Sequence, residues 1–166
     1  MRPTEAVLVG GRAVQVAVCG PSSCADGVAA DARRVGELLA RRGAVVICGG
    51  GGGVMAAAAA GARAAGGTVI GVLPGRSAEG AAPGLSAAVI TGMGEARNAI
   101  IVQSADAVIT VGGSWGTLSE VALAMRGGVP VVSLAGWRVT DTDGAPVPGI
   151  LDATTPEEAV DAALSR

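Results

Sequence analysis

At 166 residues, half of them hydrophobic and only 16% charged, the chain is long enough to bury a core and too apolar for a disordered segment. A net charge of −2 argues against a general nucleic-acid-coating role, and no apolar run approaches the ~20 residues of a membrane span. His and Lys are both absent and all twelve basic residues are Arg, which excludes Ser-His-Asp triads, His metal sites, Schiff-base lysines and the Walker lysine.

In chain order, Met1 to Glu5 lack the basic-then-apolar pattern of a signal peptide, so a cytoplasmic protein is expected. Residues 1–13 are read as an additional N-terminal hairpin turning at Gly10-Gly11. Val14 to Gly20 reads as a strand ending in a Gly-Pro turn. Asp26 to Arg42 follows as a helix, with Val28, Val35, Leu38 and Leu39 on its apolar face. Ala44 to Gly49 reads as a strand, Val54 to Ala65 as an Ala-rich helix, and Thr68 to Leu73 as a strand stopped by Pro74-Gly75.

The polar Gly/Pro-rich stretch Arg76 to Leu85 reads as a loop or lid. A short strand at Ala87 to Thr91 and a helix at Glu95 to Ser104 come next. Asp106 to Val111 is read as a strand, Leu118 to Arg126 as a helix and Pro130 to Ala135 as a strand. Asp141 to Gly149 carries turn chemistry, and Thr155-Pro156-Glu157-Glu158 opens a last helix to about Leu164. Apolar strands alternating with Ala-rich helices predict an α/β protein: one domain over residues 1–166, a three-layer sandwich of a mainly parallel sheet with helices on both faces.

The cysteines, Cys19, Cys24 and Cys48, are odd in number and lack C-x-x-C spacing. Cys19 and Cys48 end apolar runs and read as small buried hydrophobes, and no metal site is expected.

Two glycine-rich turns carry the functional signal. Gly49-Gly50-Gly51-Gly52-Gly53 joins a strand to a helix, and five bare residues cost enough chain entropy that something must require exposed backbone there. Such a turn lets a phosphate reach N–H groups at a helix start, where the dipole favours an anion. A tight turn under a close helix is the plainer alternative. The second turn, Gly112-Gly113-Ser114-Trp115-Gly116-Thr117, again links strand to helix and adds two hydroxyls. Two such turns in one sheet point to a ligand crevice outside the carboxyl ends of the strands. Glu120 reads first as the partner of Thr117 in a capping box, and second as a carboxylate beside a bound ligand. Arg97 reads as a surface helix residue or a ligand contact, and Asn98, the single Asn, as a cap or a contact.

Taken together, Gly49 to Met55, Gly92-Met93-Gly94-Glu95-Ala96-Arg97-Asn98 and Gly112 to Glu120 resemble the three signatures of the LONELY GUY, or lysine decarboxylase-like, superfamily over about Val14 to Ala135. The resemblance implies a Rossmann-like sheet and a homodimer or homotetramer. It also implies a nucleoside 5′-monophosphate phosphoribohydrolase, with Arg97 and Glu120 as the catalytic pair. Gly20, the glycine turns (Gly50, Gly51, Gly52 and Gly53; Gly112, Gly113 and Gly116), Met55, Asn98, Ser114, Trp115 and Thr117 would hold the phosphorylated ligand. No cofactor is then required.

Two departures stand out: Arg97-Asn98 replaces Arg-Lys, and Gly112-Gly113-Ser114-Trp115-Gly116-Thr117 replaces Pro-Gly-Gly-x-Gly-Thr. In the first respect the chain is similar to a bacterial subgroup like the molybdenum-cofactor carriers, which implies molybdopterin as a bound cargo. Single-stranded DNA is a weaker third expectation, opposed by the charge and the scarcity of aromatics. Subunit contacts are expected at Ile100, Ile101 and Val102.

Overall fold

The computed structural model describes Ala6 and residues 8–165. Two short strands, β1 (Leu8–Val9) and β2 (Arg12–Ala13), pair antiparallel across Gly10-Gly11. Arg12 anchors this hairpin by an ion pair of 2.7 Å to Asp106, whose carboxylate also accepts the Gln15 N–H at 2.8 Å. The remaining expectations for the N-terminal residues lie outside the described part of the chain.

The main sheet has seven strands: β3 (Gln15–Cys19), β4 (Val45–Cys48), β5 (Val69–Leu73), β6 (Ala87–Ile90), β7 (Ala107–Val111), β8 (Val131–Leu134) and β9 (Ile150–Ala153). Their order is β6-β5-β4-β3-β7-β8-β9, and every neighbouring pair is parallel. The inner strands are Val- and Ile-rich and buried on both faces, as a covered parallel sheet requires. On one face lie α1 (Asp26–Arg41), α2 (Val54–Ala64) and α5 (Pro156–Leu164), which contribute Val35, Leu39, Ala58, Ala62 and Val160 to the core. On the other lie α3 (Asn98–Gln103), preceded by a 3-10 turn at Gly94–Arg97, and α4 (Trp115–Gly127). The α/β three-layer reading therefore holds.

Three expectations need correction. The helix read from Leu118 begins at Trp115, three residues earlier, because the Ser114 hydroxyl accepts the Thr117 N–H at 3.2 Å and caps it. The strand Ile150–Ala153 had no signal in the sequence: it is a half-exposed edge strand, without alternation, directly after a turn-rich stretch. Ile101 and Val102 cannot serve subunit contacts, because α3 turns both onto the sheet, where they are fully buried with Ala17 and Val108; Ile100 packs against the same cluster. The stretch 76–85 is also pinned at its end: the Ala82 N–H donates to the Gly50 carbonyl at 2.8 Å.

Small residues set the spacing of the layers. A β-carbon at Gly36 of α1 would lie 2.0 Å from the Ala58 carbonyl oxygen, and one at Gly61 of α2 would lie 1.9 Å from that of Arg33. The two helices thus touch backbone to backbone through reciprocal glycines. A methyl group there must push the helices apart, so Gly61→Ala is expected to lower stability by roughly 1–3 kcal/mol. Gly27→Ala in the open first turn of α1, where a β-carbon meets nothing within 4 Å, is expected to raise it by about 0.5 kcal/mol. Urea unfolding of the two variants checks the contrast; equal effects would refute it.

Candidate functional site

In a doubly wound sheet, the chain leaves neighbouring strands in opposite directions at one point, and a crevice opens there. Here that point lies between β3 and β7. Gly20 sits directly at it: a β-carbon would meet the Val111 carbonyl oxygen at 2.5 Å and a Val54 methyl at 2.6 Å. The ends of β3 and β7 and the start of α2 converge on its bare backbone.

Above this point is a cleft of about 310 Å³. It brings together Gly20, Met55, Arg97, Asn98, Ser114, Gly116, Thr117 and Glu120 from the residues expected in the sequence. Ser22, Pro74 and Glu95 join them, and sequence reasoning missed all three. Ser22 had a signal, since it follows the Gly20-Pro21 turn at the end of the first strand. Gly50, Gly51, Gly52 and Gly53 do not line the cleft. Gly50, at φ +73°, packs against Leu73, and Gly53, at φ +58°, against the Pro21 carbonyl, so most of the glycine run serves close backbone packing. Gly49 is the exception: a β-carbon there would meet the Met55 sulfur at 2.7 Å and the Arg97 guanidinium at 2.9 Å, so its bareness makes room for these two side chains of the cleft. Gly112 and Gly113 border a separate small crevice beneath Trp137, with Ser114 and Thr117 in the wall between the two.

Arg97 is held, not free. Its Nε donates to the Val72 carbonyl at 2.9 Å and its guanidinium bonds the Asn98 side-chain oxygen. Asn98 is buried, and its amide donates to the Ser119 hydroxyl at 2.9 Å, which in turn donates to the Gly116 carbonyl at 2.8 Å. This relay ties the arginine to the first turn of α4. Asn98 is therefore a link between Arg97 and the turn as well as part of the cleft wall.

Glu120 is not part of a capping box. With the cap at Ser114, Thr117 falls inside the first turn, and Glu120 lies one turn further on, only 7% exposed and facing the cleft. Burial pushes its carboxyl up to about 7, against the pull of a hydrogen bond from the Cys19 thiol and of the Arg97 charge. Cys19 is itself pushed well up, first by burial and then by the nearby Glu120 charge. The last residue of β3 thus has a polar role that an apolar run conceals. Cys48, also buried, is raised to about 11, and all three cysteines are free. Among the described residues, no group of three or more His, Cys, Asp or Glu side chains is placed to hold a metal ion. No described helix is long and apolar enough to cross a membrane.

The unfolded chain releases the Glu120 proton near 4.5, whereas the folded protein holds it to about 7. Stability contributed by this group is complete below 4.5 and falls as the pH rises through 7, by roughly 3 kcal/mol in total. Glu120→Gln is therefore expected to be nearly neutral at pH 4 and to raise the melting temperature by several degrees at pH 8. Thermal unfolding across pH checks this, and an increment independent of pH would refute it.

The chain has relatives across nearly its whole length. A protein of Archaeoglobus fulgidus is 42% identical over 152 residues, covering 92% of this chain and 95% of its own length. The molybdenum cofactor binding protein of Rippkaea orientalis has a similar structure, with a TM-score of 0.83 and 33% identity, over 93% of this chain and 97% of that one. The molybdenum cofactor carrier protein of Chlamydomonas reinhardtii gives 0.79 and 31%, over 93% and 98%. The sequence profile of the SLOG cluster4 family matches residues 13–160, and the chain belongs to that family.

Proposed function

We propose that the cleft at the β3/β7 switch point holds a phosphorylated fused-ring heterocycle intact, as a carrier, and that molybdenum cofactor is this cargo. The observation that carries the reading is the set of anion-binding groups gathered in the cleft. The first turn of α4 starts there: the Thr117 N–H is taken by the Ser114 hydroxyl, and the Trp115 and Gly116 N–H groups have no acceptor within the helix. Ser114 and Thr117 hydroxyls lie 2.9 Å apart and share one hydrogen bond, which leaves one hydroxyl proton to donate to a ligand. Arg97 adds a fixed positive charge to the same cleft. Glu120, neutral below about 7, donates a hydrogen bond to an anion that an ionised carboxylate would repel. The similarity to a cofactor-binding and a cofactor-carrier protein over nine-tenths of both chains supports the choice of cargo.

Phosphoribohydrolysis is the second reading, and one observation favours it. A carboxyl titrating at about 7 exchanges protons readily at neutral pH, which suits acid–base work at an N-glycosidic bond.

One pair of assays separates the two. Protein is mixed with molybdenum cofactor freshly released from a molybdoenzyme, passed through a desalting column, and the retained pterin is measured by fluorescence after oxidation. The same protein is incubated with a panel of nucleoside 5′-monophosphates, and free base is followed by chromatography. Retained cofactor without base release is expected, with at least a tenfold loss of retention in Arg97→Ala. Base release by wild type that disappears in Glu120→Gln would replace the carrier reading with the hydrolase.

A further inference from the structure

The carboxyl ends of β7 and β8 carry two hydroxyls that the fold buries and does not use. Thr110 and Ser133 are register partners on the two strands and are 2% and 6% exposed. Neither hydroxyl has a hydrogen-bond partner among the described residues, and neither is sealed in the core: both residues line the small crevice beneath Trp137. Polar groups buried to this degree are normally paired.

The backbone beside them is shaped to the same point. A β-carbon at Gly136 would lie 2.4 Å from Ser133 Oγ, 3.2 Å from the Gly112 carbonyl oxygen and 3.5 Å from Thr110 Oγ1, so three oxygens converge on the bare side of this glycine. Ala135, just before it, has φ +53° and is the one non-glycine residue with positive φ among those described. Such strain persists where the surrounding structure fixes it. Trp137, just after, lies against Gly113, where a β-carbon would meet its ring at 2.4 Å.

The chemistry of the crevice selects its occupant. No charged side chain lines it. A cation would face three neutral oxygens and the positive end of α4, whose cap Ser114 and first-turn Thr117 belong to the lining. An anion would face the Gly112 carbonyl with no positive side chain to offset it. An uncharged molecule that both donates and accepts suits all three oxygens: it donates to the carbonyl and to one hydroxyl and accepts from the other. The free space, about 20 Å³, admits one group the size of water.

We infer that Thr110, Ser133 and the Gly112 carbonyl form a binding site for one uncharged, water-sized molecule, water itself, which ties the ends of β7 and β8 to the second glycine turn. Resting on the anion reading of the cleft above, Thr110 and Ser133 are positioning residues for that turn. Gly112 opens it, and Ser114 and Thr117 form the wall common to crevice and cleft, whereas neither Thr110 nor Ser133 lines the cleft itself.

The test uses crystals of the full chain at high resolution, with inorganic phosphate as the anion probe in solution. Density for a single atom is expected within about 2.7–3.2 Å of Ser133 Oγ, Thr110 Oγ1 and the Gly112 carbonyl oxygen. Thr110→Val keeps the shape of the side chain without its hydroxyl; it is expected to lose that density and to weaken phosphate binding, measured by calorimetry, about fivefold. Thr110→Ser, which retains the hydroxyl, should restore both. A wild-type crevice without this atom, or with an ion in its place, would overturn the inference and leave the reading of the cleft standing. Wild-type phosphate affinity in a Thr110→Val protein that has lost the atom would overturn the positioning role. A wild-type protein that binds no phosphate would remove the reading of the cleft and the positioning role with it, while the density decides the site itself.

Discussion

A carboxyl group buried where two strands of a parallel sheet part is the constraint on which the rest of this site depends. Glu120 is 7% exposed, and keeping an ionised carboxylate there would be costly. The protein's answer is local. The Ser114 cap starts α4 early, so that Glu120 falls one turn inside the helix and faces inward. The Cys19 thiol, at the end of β3, and the Arg97 charge both pull the carboxyl's pKa down, and Arg97 is held in the same cleft by Val72 and Asn98. These contacts do not cancel the burial cost, and the carboxyl stays raised to about 7. A group that destabilises the folded chain at neutral pH is what a ligand site can retain and a purely structural position would lose.

Bare backbone makes this geometry possible. Gly20 lets β3, β7 and α2 converge, and Gly49 leaves space for the arginine. Gly36 and Gly61 let α1 and α2 lie in direct backbone contact on the far face of the sheet. The abundance of Gly and Ala thus acts at two levels, setting the spacing of the layers and opening the crevice between them. The relay from Arg97 through Asn98 and Ser119 to the Gly116 carbonyl then couples α3 to the capped turn of α4. A shift in either helix would disturb both the arginine and the hydroxyls of that turn.

Much of this was legible in the sequence, because the signals were local. Val-rich runs marked the buried strands, Ala-rich stretches the helices, and two glycine turns the end of the sheet where a ligand would sit. What escaped had non-local causes. The helix at Trp115 was read three residues short, since the choice between Ser114 and Thr117 as cap depends on which hydroxyl reaches which N–H. From the sequence alone, Glu120 accordingly reads as a capping partner first and a ligand contact second. Cys19 looked like any buried apolar residue, and only the sheet order places it against Glu120. Gly50 to Gly53 looked like a phosphate cradle, but their neighbours are Leu73, Met55, Pro21 and Ser22, contacts that no local pattern could announce. Strand β9, at the sheet's edge, has no periodicity to show.

The most direct measurement is the titration of Glu120 itself, followed by the carboxyl carbon resonances of protein labelled at glutamate, with Glu120→Gln to assign the signal. One glutamate titrating at about 7 is expected, absent from the variant and displaced when molybdenum cofactor is added. A Glu120 signal titrating near 4.5, or one that ignores the ligand, would contradict it.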